Sequence, residues 1–262
     1  MTPVYILLTF VITCLGTVSG ISGGTILKPV MDMAGGYKAA DISVLTGGAV
    51  FVMSLASFLR NLGSKGLLRL RPAAALMLGL GAVCGGFAGQ SLLAFVIHAA
   101  RNDNLVKLCQ NIVLGILLLG VLARTFMKNP GHLELRGIPA HLAAGVFMGV
   151  VAAFLGIGGG PINMALLMFL FGMDIKTAAV HSLLIILFAQ AANLLTIVVL
   201  RGFSAFRLPL LPHMALAALA GSLLGAALNK KLNPRGVLLL FGAMLCAVLC
   251  AVAFNIVRFA SQ

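Results

Sequence analysis

Long apolar stretches recur along this chain and restrict its fold more than any other feature of the sequence. Each of eight segments holds a stretch of roughly 18 or more residues with almost no charge, long enough to cross the ~30 Å hydrocarbon core as a helix. In lipid, only helices and closed barrels pair every backbone group. The sequence therefore predicts an all-α polytopic membrane protein, with the bilayer as its surroundings. The segments run over 4–34, 40–59, 72–98, 105–127, 138–172, 177–200, 208–229 and 236–257.

Composition supports the same class and narrows the partners. Of 262 residues 61% are hydrophobic and 9% are charged, whereas a soluble domain is about half apolar and about a quarter charged. The 18 basic and five acidic residues give a net charge of +13. The basic residues occur in ones and twos between apolar segments, which is typical of membrane loops and argues against a nucleic-acid surface. Excess positive potential favours an anion pathway over a cation pathway.

The two halves of the chain repeat at a shift of 136 residues without a gap. Gly20–Gly24 falls on Gly156–Gly160, and at the same shift Thr46 meets Ser182 and Ser57 meets Asn193. One glycine cluster could match by chance, but a single register over about 70 residues indicates duplication. We predict a first membrane repeat over 1–127, a polar linker over 128–137 and a second membrane repeat over 138–262.

The first and fifth segments are too long for one span and contain matching glycine clusters. Each would measure ~45–50 Å as one helix, and Pro29 and Pro161 lie close to the clusters. We therefore expect each segment to be two shorter helices joined by an irregular loop. Matching Gly/Pro breaks in two halves are typical of a transporter's binding site. The alternative is that the glycines serve only close helix packing.

Two further glycine patterns read as helix contacts. Gly81, Gly85 and Gly89 form a small-xxx-small stripe, and Ala217, Gly221 and Gly225 form its repeat. Such stripes let transmembrane helices approach closely. We predict a packing role for both.

The glycine clusters also carry a family resemblance. Gly156-Ile-Gly-Gly-Gly-Pro161, its twin Gly20-Ile-Ser-Gly-Gly-Thr25, the duplication and the eight segments together resemble the TauE/SafE family, also called the 4-toluenesulfonate uptake permease family. The resemblance implies transport of sulfite, sulfonates, sulfoacetate or related organosulfur anions by alternating access across the bacterial inner membrane. The first copy departs from the pattern at Ser22 and Lys28.

Polar residues near the clusters form the candidate anion site. Helix N-termini offer free N–H groups and about half a positive charge, and we expect new helices to begin after each cluster. Buried amides and hydroxyls on the following helices add donors, although they could instead serve as interhelical hydrogen-bond partners. The candidate substrate-binding residues are Gly20, Ser22, Gly23, Gly24, Thr25, Thr46, Ser57, Gly156, Gly158, Gly159, Gly160, Asn163, His181, Ser182, Gln190 and Asn193.

The charged residues of the segments leave the role of His181 and the number of membrane spans open. His181 is either a proton-linked switch or a neutral hydrogen-bonding histidine. Asp41 and Asp174 read as helix caps, and the absence of other mid-segment carboxylates predicts export driven by the membrane potential alone. Eight full spans place ten basic residues on one side and eight on the other; six spans with two re-entrant hairpins give eleven against seven and an inverted repeat.

Other functional classes find little support in the sequence. It contains no HExxH motif, no paired carboxylates and no Ser/His/Asp constellation. The five cysteines are scattered through apolar stretches. We predict neither enzyme activity, catalytic residues, a cofactor nor a metal, and we leave a homo-oligomer open. The function predicted is a secondary transporter or facilitator exporting a small sulfur-containing oxyanion. The alternatives are a gated small-anion channel and a non-transporting membrane enzyme or assembly factor.

Overall fold

A computed structural model describes residues 2–19, 23–34, 36–62, 72–127, 131–201 and 208–261. Regular structure in these ranges is helical, and seven helices are long and apolar enough to cross a membrane: α3, α4, α5, α6 and α8 to α10. This confirms the predicted all-α polytopic class. The helices are α1 (Thr2–Ser19), α2 (Gly24–Ala34), α3 (Ala39–Leu62), α4 (Pro72–Ala100), α5 (Asp103–Thr125), α6 (Ile138–Leu155), α7 (Gly160–Phe171), α8 (Ile175–Arg201), α9 (Leu211–Asn229) and α10 (Pro234–Ala260).

The first and fifth apolar segments are both broken at their glycine clusters, as predicted. One break separates α1 from α2, and the other separates α6 from α7. In the second break Gly156, Gly158 and Gly159 have φ values of 66°, 74° and 70°. These left-handed conformations are costly for any residue with a Cβ, which explains why the loop is built from glycine.

Both broken segments fold back on themselves as helical hairpins. In the first, the rings of Tyr5 and Tyr37 lie 6.4 Å apart between centroids, so the start of α1 meets the chain just beyond α2. In the second, the rings of His141 and Phe171 stack at 4.3 Å, so the start of α6 meets the end of α7. Gly23 and Gly24 therefore lie at the tip of the first hairpin and Gly156–Gly160 at the tip of the second, and the two helices of each hairpin share a base.

The two hairpins have their bases at opposite ends of α5. Lys107 near the start of α5 donates to the carbonyl oxygen of Tyr37 at 2.9 Å, at the base of the first hairpin. Arg124 near the end of α5 lies 4.0 Å from the centroid of the Phe169 ring, at the base of the second. Seventeen residues of helix separate these contacts by about 26 Å. The hairpins therefore enter the protein from opposite sides.

Helices at equivalent places in the two halves run in opposite directions. Asn255 of α10 bonds Asn111 of α5 at 3.2 Å, and Phe126, just beyond α5, packs on Gly242 near the start of α10. The two helices are therefore antiparallel. This is the direction that an inverted repeat requires, and it favours six spans with two hairpins over eight spans. The division of the chain into repeats over 1–127 and 138–262 stays a prediction.

The glycine stripes are helix contact faces, and each joins one half of the chain to the other. A Cβ on Gly85 of α4 would overlap the carbonyl oxygen of Val146 in α6, and one on Gly149 of α6 would lie 2.5 Å from that of Ala82. The second stripe does the same between α9 and α1, where a Cβ on Gly221 would overlap the carbonyl oxygen of Phe10. The packing role predicted for these stripes is confirmed.

The linker packs against the second hairpin rather than standing free. The backbone N–H groups of Leu133 and Leu135 donate to the carbonyl oxygens of Phe169 and Leu170 at 2.9 and 2.7 Å. These carbonyls belong to the last turn of α7, where a helix has no internal donors to offer. Residues 131–136 thus cap the base of the second hairpin; residues 128–130 lie outside the described part of the chain.

Candidate functional site

The tips of the two hairpins contact each other in the interior of the protein. A Cβ on Gly24, the first residue of α2, would lie 2.6 Å from the carbonyl oxygen of Ile157 in the second tip. It would also lie 2.6 Å from Cγ2 of Val50 on α3. Only glycine permits this approach, so two sequence motifs 136 residues apart form one structural element.

Hydroxyl groups of α3 and α8 hold the second tip. The single hydroxyl hydrogen of Thr46 is shared between the carbonyl oxygens of Ile42 at 2.7 Å and Gly156 at 2.8 Å, and Ser182 donates to that of Gly160 at 3.3 Å. A Cβ on Gly156 would lie 2.8 Å from the hydroxyl oxygen of Ser43. Thr46 and Ser182 are fully buried. Two residues that the repeat aligns therefore bind the two ends of the same loop.

Asn163 is the most exceptional polar group of this site. It lies in the first turn of α7, is fully buried, and has neither its Nδ2 nor its Oδ1 bonded to any described residue. A Cβ on Gly159 would lie 3.1 Å from that Oδ1. A buried side-chain amide without partners costs about 1–3 kcal/mol. Such a cost at the tip of a hairpin points to a ligand-binding role.

Two further amide side chains, on α8, face α3 beside Thr46. Nδ2 of Asn193 donates to Oε1 of Gln190 at 3.2 Å, across one turn of α8. A Cβ on Gly47, the residue after Thr46, would lie 2.9 Å from that Oε1. Nε2 of Gln190 and Oδ1 of Asn193 have no partner in the described chain. The pair is therefore bonded within α8, and it keeps one donor group and one acceptor that no described residue uses.

The remaining predicted site residues fall into three groups. Gly20 and Ser22 lie outside the described residues. Gly23, Thr25 and Gly158 lie in or directly beside the two tips, and Thr25 is fully buried. Ser57 is also buried, but it lies eleven residues beyond Thr46 on α3, about 16 Å along the helix. Ser182 and Asn193 of α8 are also eleven residues apart, so this spacing does not separate Ser57 from the site, and its role stays a prediction.

His181 is fully buried on α8, next to Ser182. Its Nδ1 lies 3.0 Å from the carbonyl oxygen of Thr177. Because a carbonyl oxygen only accepts, Nδ1 carries a hydrogen in this arrangement. This bond lies within one turn of α8. It explains the position of Nδ1 by local hydrogen bonding, and no role in transport is needed for that nitrogen.

Two helix ends contribute positive potential at the tips. α2 and α7 both begin directly after their glycine loops, so their first-turn N–H groups and positive dipole ends point toward the meeting point of the tips. Pro161 occupies the start of α7, where its missing N–H removes no helix bond. The arrangement suits an anion that must bind and then leave.

Sequence reasoning missed a buried ion pair beside these tips. Nζ of Lys28 and Oδ2 of Asp32 lie 3.1 Å apart on α2, with side chains only 2% and 1% exposed. The expectation that no carboxylate lies inside a segment, apart from the helix caps, is therefore wrong, because Asp32 lies inside the short second helix of a hairpin. Lys and Asp four residues apart within an apolar segment were the signal that could have found it.

Replacing Asn163 with leucine tests whether the amide is a ligand group or structural glue. We expect Asn163→Leu to raise the thermal stability of the purified protein by about 1–3 kcal/mol, because an unpartnered buried amide is removed at similar volume. We expect the same variant to lose anion transport. The measurement is a melting curve in detergent together with flux in vesicles. A loss of stability in Asn163→Leu would identify the amide as glue and contradict the site.

Comparison with known proteins agrees with this architecture. The family model described as "Sulfite exporter TauE/SafE" matches residues 5–252, which includes every residue of the candidate site. No curated protein and no solved structure matched the chain.

Proposed function

Because this chain belongs to the sulfite exporter TauE/SafE family, we propose that it is a secondary transporter or facilitator that exports a small sulfur-containing oxyanion. The substrate class proposed is sulfite, a sulfonate or sulfoacetate. The chain is a multi-pass membrane protein, and the membrane proposed is the bacterial inner membrane.

The observation that carries this proposal is the contact between the tips of two oppositely oriented hairpins. There Gly24 approaches the carbonyl of Ile157, and two helix N-termini converge beside Asn163, whose amide has no partner among the described residues. An oxyanion offers several acceptor oxygens, which match N–H and amide donors. Since each tip is reached from a different side, small movements of the hairpins would open the site alternately to the two sides.

The distribution of basic residues supports an orientation. With six spans, the side at the end of α5 near Arg124 carries eleven Lys and Arg residues, and the other side carries seven. Two of these seven, Lys28 and Lys107, are buried. The positive-inside rule therefore favours the Arg124 side as cytoplasmic, with both termini outside.

The driving force proposed for export is the membrane potential. Moving one charge is worth about 2.3 kcal/mol per 100 mV, so an inside-negative cell at ~100 mV could sustain roughly a fifty-fold outward gradient of a monovalent anion at 1.4 kcal/mol per tenfold. This driving force requires no coupling ion, because the anion itself carries the charge that moves.

The experiment is anion flux in proteoliposomes under a potassium–valinomycin potential at equal pH on both sides. We expect saturable flux of sulfite, sulfoacetate or methanesulfonate, driven toward the positive side and stimulated by the same anion on the opposite side, with sulfate as the comparison anion. Flux without saturation or trans-stimulation would favour a gated anion channel instead. If all four anions fail to move through folded protein, the proposed function is wrong.

A further inference from the structure

We propose that Lys28 is the cationic contact of the transported anion and that Asp32 holds Lys28 in place while the site is empty. In this exchange the anion takes the place of the Asp32 carboxylate next to the Lys28 ammonium group. The proposal rests on the proposed function and adds to it a charged binding residue and an internal competitor.

The ion pair of Lys28 and Asp32 is buried but incompletely satisfied. Oδ2 of Asp32 accepts from Lys28 at 3.1 Å and from Nδ2 of Asn111 at 3.3 Å, whereas Oδ1 has no partner among the described residues. A buried ion pair is stabilising only when its remaining lone pairs and protons are also bonded. This pair falls short of that condition, which makes it replaceable by a better-matched anion.

A narrow crevice lies directly at the pair and extends as far as Leu155. It is lined by Lys28, Pro29, Asp32, Gln110, Asn111, Leu114 and Leu155. Leu155 is the residue before Gly156 of the second tip, and Gln110 donates its Nε2 to the carbonyl oxygen of Phe154 at 2.6 Å. Lys28 itself lies one helix turn, about 6 Å, from Gly24. An anion at the tips therefore lies close to the crevice that contains Lys28.

Charge at these positions is not needed to build a hairpin. The residues 136 positions further on, in α7 of the second hairpin, are Met164 and Met168. α7 forms the same kind of short helix with these apolar side chains in place of the ion pair. A feature that only one of two matching hairpins carries is better explained by a binding role than by folding.

The exchange pairs Lys28 with the anion and leaves the Asp32 carboxylate hydrogen-bonded but without a cation. Before the anion binds, the pair of Lys28 and Asp32 is neutral. After it binds, the anion compensates the positive charge of Lys28 in place of Asp32. The carboxylate keeps its hydrogen bond from Asn111, and Asn111 is itself bonded by Nδ2 of Asn255 at 3.2 Å. The flexible four-carbon stem of lysine allows the ammonium group to change partner without movement of α2. The anion adds one negative charge to the site, which agrees with transport driven by voltage.

The test compares wild type, Asp32→Asn and the double variant Lys28→Met with Asp32→Met, which copies the α7 residues. Flux is measured in vesicles, and thermal stabilisation of purified full-length protein is measured with sulfite, sulfoacetate, methanesulfonate and sulfate. Asp32→Asn removes the competitor, so we expect KM to fall about tenfold and the anion to stabilise this variant more than wild type. We expect the double variant to melt at or above the wild-type temperature, because apolar replacement of a buried pair is often neutral or stabilising. It should show neither flux nor stabilisation by anions.

The outcomes separate this proposal from the proposed function. A folded double variant that transports with wild-type KM would overturn the role of Lys28 and leave anion transport standing. Unchanged KM and unchanged stabilisation in Asp32→Asn would overturn the competition by Asp32. If wild type moves none of the four anions, the proposed function fails; stabilisation of Asp32→Asn by any of them would still support the Lys28 contact, and its absence would overturn both.

Discussion

Gly159→Leu should reduce anion flux to the level of protein-free vesicles while the protein still inserts. Gly159 has a φ of 70° and directly precedes α7, and a Cβ there would lie 3.1 Å from Oδ1 of Asn163 and 3.3 Å from Cβ of Ala152. A leucine side chain would therefore occupy the space beside the amide where the anion is proposed to bind. The left-handed backbone adds about 1–2 kcal/mol of strain.

A matched variant separates backbone strain from the filling of the site. Gly36 has a φ of 85°, yet no atom lies within 4 Å of the Cβ that a substitution would add. Gly36→Leu therefore carries similar strain in open space, and we expect it to transport. Flux and size-exclusion profiles of both variants are the measurements. Wild-type flux from folded Gly159→Leu would refute the site.

Gly85→Leu is expected to abolish the folded protein altogether. A Cβ at Gly85 would overlap the backbone of Val146, and backbone atoms of a packed helix cannot move aside as a side chain can. The stripe continues at Gly81 and Gly89, so separating α4 from α6 at one point disturbs the whole contact. We expect a cost above about 4–5 kcal/mol, the range reached by severe packing defects. Fluorescence-detected size exclusion after expression measures the folded fraction.

Gly120→Leu is the control for this prediction. Gly120 also lies in a transmembrane helix, α5, but it is exposed and nothing lies within 4 Å of an added Cβ. We expect a normal elution profile and normal flux. A monodisperse peak at wild-type yield for Gly85→Leu would show that α4 and α6 tolerate separation, contrary to the close packing of their stripes.

Local rules were sufficient to predict where the chain breaks and where helices touch. The length of the apolar segments predicted the helices, and the glycine clusters predicted the positions of both breaks. The breaks were predictable because the backbone conformation at Gly156 and Gly159 depends on the residue type itself. The antiparallel return of each hairpin could only be offered as one of two topologies. It depends on tertiary contacts such as the stacking of His141 on Phe171, which lie 30 residues apart in sequence.

The site was predicted well where it follows the repeat and poorly where it does not. Thr46 and Ser182 align in the two halves, and both bind the second tip. Ser57 aligns with Asn193 equally well and is buried, and its place in the site stays a prediction. Lys28 and Asp32 have no counterpart in the second half, so a search for matched polar residues passed over them. Their burial depends on α5 and α10, which sequence spacing on α2 does not reveal.

The contact between α1 and α9 has a consequence for how the protein is made. At a synthesis rate of about 5–20 residues per second, α9 leaves the ribosome roughly 10 to 40 s after α1. During that interval the face of α1 around Phe10 and Cys14, which later receives Gly221 and Gly225, has no partner. The nascent first hairpin must therefore be protected from pairing with other helices and from membrane proteases until α9 has been synthesised. A chain truncated after α8 is thus expected to be degraded rather than to persist as a half-active protein.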